Sequence, residues 1–199
     1  MFRVVKLGGS LHDSPELAGW LRMLAYAGGR IVVVPGGGPY ADTVRAAQMR
    51  VGISDAAAHH MALLAMDQYA LMLCDLQPNL VPAASTQEIA KAIAHGLTPI
   101  WLPSKMSLKA PDIPRNWSVT SDSLSAWLAH HLGAEALALV KYENPGIDDL
   151  SILADGGWID MAFTDYARIF GKPVNIIGQD EVCRFVEWLS FPVDQALQT

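Results

Sequence analysis

The sequence predicts an α/β fold whose central sheet is mostly parallel and is covered by helices on both faces. Short apolar runs alternate along the chain with longer segments in which apolar residues recur at helical spacing. Several of these runs are continuously apolar, as expected of strands that are buried on both faces. Residues 1–199 contain no internal repeat, low-complexity tract or linker, so we expect one domain.

Six apolar runs predict strands, and a seventh run predicts a weaker one. The six runs are 3–7, 31–34, 79–84, 99–102, 137–140 and 174–177, and the weak strand is 151–153. Parallel neighbours in a sheet need long crossover connections, which are usually helices.

Segments with helical patterning lie between nearly all of these strands. They are 15–28, 40–50, 54–76, 86–95, 121–132, 159–169 and 182–189. Capping residues mark several starts: Ser14 before Pro15, Ser54 or Asp55, Ser85 or Thr86, and Ser121-Asp122. The stretch 103–117 holds three prolines and three basic residues, which indicates a flexible loop at an active site.

Composition and charge exclude several classes of protein. With 199 residues, 51% of them apolar, the chain can bury a full core, and its net charge of -6 argues against nucleic-acid binding. Cys74 and Cys183 show neither metal-ligand spacing nor a disulfide framework, which fits a reducing cytoplasm. Gly8-Gly9 breaks any signal-peptide core, and Asp67-Gln68 interrupts the longest apolar stretch. We therefore expect a cytoplasmic protein that does not enter a membrane.

Two apolar runs end in glycines that lead towards a helix. Residues 4–10 read Val-Val-Lys-Leu-Gly-Gly-Ser, and residues 31–40 end in Pro35-Gly36-Gly37-Gly38-Pro39-Tyr40. A turn of this kind brings bare backbone N–H groups close to a phosphate. Two such turns predict a site that holds two phosphate-bearing ends, as an enzyme that moves a phosphoryl group between them requires.

Lys6 is the most informative single residue, because it ends a buried strand beside Gly8-Gly9. It could leave the strand end to pair with a carboxylate. We favour a cation that bridges a transferred phosphoryl group and offsets the charge on its oxygens. A Rossmann site is disfavoured, although Gly36-x-Gly38-x-x-Ala41 matches the fingerprint, because residues 55–62 look helical where a ribose-binding acid is needed.

Asp122 lies in Thr120-Ser121-Asp122-Ser123 at a predicted helix start. Taken alone, this segment is best explained as a helix cap. We interpret Asp122 as a candidate catalytic residue only because Lys6 and the two glycine turns accompany it.

These three motifs, in this order and roughly at these separations, resemble those of the amino acid kinase superfamily, which includes acetylglutamate, aspartate, uridylate and isopentenyl phosphate kinases. They are residues 5–10, residues 34–38 and residues 120–123. The resemblance implies a three-layer αβα sandwich. It also implies transfer of the γ-phosphoryl group of ATP to a carboxylate, carbamate or phosphate without a covalent enzyme intermediate.

The resemblance also implies roles for individual residues. Lys6 would bridge the phosphates and Asp122 would orient the lysines. The N–H groups of Gly8 and Gly9, with Ser10, would bind the ATP phosphates, and Gly36, Gly37 and Gly38 would hold the acceptor. Lys141, Tyr142 and the turn through Gly146 would lie near the adenine and ribose. Mg²⁺ would be held mainly by the phosphates, with no protein metal site.

One departure from the superfamily concerns a second phosphate-binding lysine, which members commonly carry in a late glycine-rich segment. The corresponding residues 155–160 read Asp-Gly-Gly-Trp-Ile-Asp and contain no lysine. Lys141, Lys105 or Lys109 could substitute, or phosphoryl transfer could be impaired. The second case leaves open a catalytically silent nucleotide-binding protein that serves as a sensor, storage subunit or partner of an active paralogue.

Within the superfamily, residues 52–57, 66–69 and 117–122 look most like the small kinases of methanofuran biosynthesis. That subgroup phosphorylates aminomethylfuran-methyl phosphate to its diphosphate. Arg45 is then a candidate phosphate contact, although a solvated helix face explains it more simply. Asp67 is a candidate contact for the ammonium group, with an ordinary paired carboxylate as an equal alternative.

The remaining expectations concern histidines and assembly. His59-His60 and His130-His131 lack a third ligand at metal-site spacing and are interpreted as ordinary helix residues. The apolar helix 61–76 suggests a homo-oligomer, since superfamily members often associate through such helices.

Overall fold

A computed structural model of the chain describes residues 2–190. Its centre is a six-stranded sheet in which every pair of neighbouring strands is parallel. The strands are β1 (Arg3–Leu7), β2 (Ile31–Pro35), β3 (Leu80–Ala83), β4 (Thr98–Trp101), β5 (Leu137–Lys141) and β6 (Val174–Gly178), in the spatial order β3-β4-β2-β1-β5-β6.

Helices connect the strands and cover both faces of the sheet. They are α1 (Leu17–Tyr26), α2 (Gly38–Val51), α3 (Asp55–Leu76), α4 (Thr86–Ala94), α5 (Ser104–Ser107), α6 (Ser121–Leu132), α7 (Leu150–Asp155), α8 (Phe163–Phe170) and α9 (Val182–Ser190), with a short 3-10 helix at Gly9–Asp13. Among residues 2–190, none of these helices combines the length and apolar character needed to cross a bilayer.

Alternate residues of the central strands enter two separate cores. Val4 and Val32 pack on one face with residues of α6 and α8. Val5 and Val33 pack on the other face with residues of α1 and α9. Burial on both faces explains why these strands are continuously apolar. The α/β class and the three-layer αβα arrangement are confirmed.

The six main strands form where the sequence predicts them, but the weak strand at 151–153 is wrong. Leu150–Asp155 is a helix, because the side chain of Asp149 accepts hydrogen bonds from the N–H groups of Ser151 and Ile152. Helix α1 begins at Leu17, two residues later than predicted. The Ser14 hydroxyl accepts a hydrogen bond from the Glu16 N–H, and the Leu17 N–H donates to the Ser14 carbonyl over 3.2 Å, so residues 14–17 form a turn that precedes the helix.

The glycine turns after β1 and β2 pack directly against each other. The Gly36 N–H donates to the Leu7 carbonyl over 2.8 Å, which extends the strand pairing into the turns. A Cβ atom on Gly36 would lie 2.2 Å from the Gly9 nitrogen, and one on Gly9 would lie 2.5 Å from the Gly38 nitrogen. Because these neighbours are backbone atoms, a side chain at either position would force the two turns apart.

We therefore expect Gly36→Ala to lower the free energy of unfolding by about 1–3 kcal/mol or more, as overpacking does. Gly19→Ala on α1 is the matched control, because the nearest atom to its Cβ would be a flexible arginine terminus 3.9 Å away. It should leave stability unchanged or raise it by up to about 1 kcal/mol, as for any helical glycine. Urea denaturation of both variants checks this, and a wild-type midpoint for Gly36→Ala would contradict the close packing of the turns.

Candidate active site

A cavity of about 560 Å³ opens at the carboxyl ends of β1, β2 and β5. The chain leaves β1 towards β2 and leaves β5 towards β6, in opposite directions along the sheet. Such a switch point is where open parallel sheets bind ligands. The lining comes from both glycine turns, helices α2 and α3, the start of α6, the end of β5 and residues 157–158.

Two lysines and one aspartate converge at the base of this cavity. The Lys6 Nζ lies 3.0 Å from the Asp122 Oδ1, and the Lys141 Nζ lies 2.6 Å from the Asp122 Oδ2. The side chains are 6% exposed for Lys6 and Asp122 and 15% for Lys141. Lys6 and Asp122 thus form a buried ion pair. Lys141 donates a hydrogen bond to Oδ2.

Burial and the charges of the neighbouring groups together set the charge state of this trio. Burial lowers the pKa of Lys6 to about 8, with Asp122 opposing the shift. Burial opposes ionisation of Asp122, but Lys6 and Lys141 together outweigh it and bring the pKa of its carboxyl to about 2. With Asp122 ionised and both lysines protonated, the trio carries one net positive charge inside the protein. A buried excess cation favours an anionic ligand.

The glycine turns supply backbone to the same cavity. Gly9, Ser10, Gly36, Gly37 and Gly38 all line it. Helix α2 begins at Gly38 with no side-chain cap at Gly37, and both residues line the cavity, so an uncapped helix N-terminus adjoins it. A helix N-terminus favours an anionic ligand.

The position of Gly8 differs from the expectation that its N–H binds the ATP phosphates. Its N–H donates to the Val140 carbonyl over 2.9 Å and belongs to the pairing of β1 with β5. The N–H is therefore occupied, and Gly8 is absent from the cavity lining. The Gly36 N–H is occupied in the same way by the Leu7 carbonyl, although Gly36 itself lines the cavity.

The far wall of the cavity is built by α2, α3 and the segment before α6. The Arg45 guanidinium lies over the Trp117 ring at 4.5 Å from its centroid and pairs with Asp42 at 3.2 Å. The Trp117 Nε1 donates to the Gln48 side chain over 2.6 Å. Leu63 lies on the same wall. Of the predicted loop 103–117, Trp117 alone lines this cavity.

His59 is a cavity residue that the sequence interpretation missed. It is buried, and its Nδ1 lies 3.2 Å from the Asn116 carbonyl oxygen. Burial lowers the pKa of His59. The helical spacing could have indicated this position, because residues 59, 63 and 66 share one face of α3 and all three line the cavity.

Asp67 and Gly146 lie outside this site. The Asp67 carboxylate accepts hydrogen bonds from the Ser104 N–H, over 3.2 Å, and from the Ser104 hydroxyl. One position beyond Met66 on a helix, its side chain points towards α5 and away from the cavity. Gly146 is an exposed turn residue beyond the cavity lining, whereas Tyr142 lies within the lining.

The start of α6 also differs from expectation. Ser121 and Asp122 do not cap the helix, and Thr120 at the cap position makes no side-chain cap bond. Asp160, from the segment before α8, supplies the acceptor instead and bonds to Thr120 and Ser123. Nothing local to residues 120–123 signals a partner 37 to 40 positions away.

Comparison with known proteins gives one matching family, described as the amino acid kinase family, over residues 1–147. Among individual relatives, a [5-(aminomethyl)furan-3-yl]methyl phosphate kinase of Methanocaldococcus jannaschii is 32% identical over 149 residues, which span 73% of this chain and 68% of that protein.

Among solved structures, the fold is similar to uridylate kinase from Archaeoglobus fulgidus, with a TM-score of 0.67 and 16% identity over 94% of this chain and 96% of that one. UMP kinase from Ureaplasma parvum gives a TM-score of 0.68 at 13% identity, over 94% of this chain and 96% of that one. At these identities the structures support the fold alone, whereas the family match covers most of the chain. The chain belongs to the amino acid kinase family.

Proposed function

We propose that this protein is a kinase that transfers the γ-phosphoryl group of ATP to a phosphate-bearing small molecule. The observation that carries the proposal is the buried Lys6–Asp122–Lys141 trio beside two glycine turns. In phosphoryl transfer, charge spreads over the transferred oxygens, and catalysis is almost entirely positioning and electrostatic stabilisation. A trio with one net positive charge beside the backbone of two glycine turns provides both.

Each group then has a defined task. Lys6 and Lys141 offset charge on the phosphates, and Asp122 holds both ammonium groups in place. Gly9 and Ser10 bind phosphate oxygens of ATP, with Tyr142 on the nucleotide side. Gly37 and Gly38, at the start of α2, bind the acceptor. Mg²⁺ arrives with ATP, is held mainly by the phosphates and neutralises part of their charge.

Lys141 is our candidate for the second phosphate-binding lysine that residues 155–160 lack. Its Nζ lies 2.6 Å from Asp122, so it shares the counter-ion that pairs with Lys6. The alternatives, Lys105 and Lys109, are exposed and line a different cavity. A retained pair of buried lysines supports an active enzyme over a catalytically silent nucleotide-binding protein, which would not need them.

The best candidate acceptor is aminomethylfuran-methyl phosphate, which would become its diphosphate. The relative from Methanocaldococcus jannaschii acts on [5-(aminomethyl)furan-3-yl]methyl phosphate. A flat ring suits the wall that Trp117 and Leu63 form, while Arg45 is available to the phosphate at the rim. Asp42 lines the cavity, so we transfer to it the ammonium contact first assigned to Asp67.

The direct test is product analysis after incubation with MgATP and aminomethylfuran-methyl phosphate. We expect ADP and the diphosphate in equal amounts, with other phosphate acceptors turned over more slowly. If thermal denaturation shows that ATP binds but no ADP forms with any phosphorylated acceptor, the silent-protein alternative replaces the kinase.

We expect Lys6→Met, Asp122→Asn and Lys141→Met each to lower kcat by about a hundredfold or more, because each removes electrostatic support from the transferred group. Lys105→Met is the matched control and should retain wild-type turnover, since Lys105 lies outside the cavity. Steady-state kinetics, with circular dichroism to verify folding, measures the effect. Near-wild-type turnover in Lys141→Met would refute its assignment as the second lysine.

We also propose that the protein is a homo-oligomer built through α3. Met61, Leu64 and Leu71 on this helix are exposed large apolar residues, and exposed apolar patches are typical of association surfaces. Light scattering should give a mass above 21.5 kDa, and Leu64→Glu with Leu71→Glu should shift it to the monomer. Measurement of the wild type as a monomer would reject the proposal.

A further inference from the structure

We propose that Asp160 is a positioning residue for phosphoryl transfer, one that fixes the turn holding Asp122 between Lys6 and Lys141. This inference rests on the proposed kinase function. Asp160 forms no ion pair with either lysine and does not itself line the cavity. It bonds to Thr120, which does line the cavity, and to Ser123, so these bonds act on the site through the turn that bears Asp122.

The Asp160 carboxylate accepts four hydrogen bonds from residues on either side of Asp122. Its Oδ2 accepts from the Thr120 N–H and the Thr120 hydroxyl, each over 2.8 Å, and from the Ser123 N–H over 3.0 Å. Its Oδ1 accepts from the Ser123 hydroxyl. A single carboxylate therefore replaces the side-chain cap that Thr120 does not provide.

These bonds constrain the backbone at Asp122 from both directions. Thr120 lies two residues before Asp122 and Ser123 one residue after it, so the first turn of α6 is pinned around the carboxylate that both lysines contact. The Ala162 N–H donates to the Ser118 carbonyl over 3.1 Å, which ties the two segments together a second time. Since 1 Å of misplacement can cost about a hundredfold in rate, such anchoring bears on catalysis.

Asp160 also contributes charge to the same site. Three charged groups act on Lys6: Asp122 on α6, Lys141 on β5 and Asp160. On α8, burial, Asp112 and Asp160 raise the pKa of Tyr166. Burial and Lys141 lower the pKa of Lys6, whereas Asp122 and Asp160 raise it. Loss of the Asp160 charge therefore lowers the pKa of Lys6 further, and Lys6 loses its proton at a lower pH.

Asp160 lies in the segment where superfamily members commonly carry the second phosphate-binding lysine. It ends the segment 155–160, which lacks the late lysine that superfamily members commonly carry. In this chain the segment supplies no cation to the phosphates, but it supplies the acid that orders the turn bearing Asp122. The lysine is provided from β5 by Lys141.

Asp160→Asn tests the inference, because asparagine keeps the size of the side chain but loses its charge and one acceptor oxygen. We expect kcat to fall about tenfold or more, with KM for ATP changed less than about threefold. We also expect the alkaline limb of the kcat/KM profile to move to lower pH, because loss of the Asp160 charge lowers the pKa of Lys6. Asp149→Asn is the matched control, because Asp149 also caps a helix but the residues it bonds, Ser151 and Ile152, lie outside the cavity, and it should change neither quantity.

A second readout does not depend on turnover. Acetic anhydride labelling of Lys6, followed by mass spectrometry across a pH series without substrates, reports the pH at which Lys6 loses its proton. Asp160→Asn should lower that midpoint, and Asp149→Asn should not. If the wild type transfers phosphate to no acceptor, the proposed function fails, and the labelling still decides the role of Asp160. The proposal would be overturned if Asp160→Asn lowered the rate only in proportion to its folded fraction and left the pH midpoint of Lys6 labelling unchanged. That result would show a purely structural role.

Discussion

The Asp122 carboxylate is the group on which the rest of this site depends. Two lysine ammonium groups that are almost fully buried would repel each other and would pay a large desolvation cost without a shared counter-ion. Asp122 sits between them and opposes the lowering of the Lys6 pKa that burial causes, so Lys6, with a pKa of about 8, stays mostly protonated at neutral pH. Since one negative charge faces two positive ones, the site retains an excess cation, and an anionic ligand can complete it.

The fold positions this trio through three rigid elements. Lys6 and Lys141 come from adjacent parallel strands whose register pairs Leu7 with Val140. Asp122 comes from the first turn of α6, directly above them. Because β1 and β5 are central strands buried on both faces, the two lysines lie on backbone that has little freedom to move.

Much of this arrangement follows from sequence because it is encoded locally. Continuous apolar runs marked the six strands, and glycines after β1 and β2 marked the two turns. The ordered motifs around Lys6, Gly36 and Asp122 predicted the family that the comparisons confirm.

The features that could not be predicted depend on contacts between distant segments. Gly8 looked like a free donor, but strand pairing with Val140 occupies its N–H. Asp67 could equally be an ammonium contact or an ordinary paired carboxylate, and α5 provides Ser104 as its partner. The role of Asp160 could not be predicted, because the residues that donate its four hydrogen bonds lie 37 to 40 positions earlier in the chain. The weak strand at 151–153 failed for a local reason, since the capping signal of Asp149 outweighed a short apolar run.

The most direct test of the account is a crystal structure with Mg²⁺ and a non-hydrolysable ATP analogue. We predict that the Nζ atoms of Lys6 and Lys141 both lie within hydrogen-bond distance of the β- or γ-phosphate oxygens, with Asp122 still between them. A nucleotide bound away from the ends of β1 and β5, or Lys141 turned away from the phosphates, would contradict it.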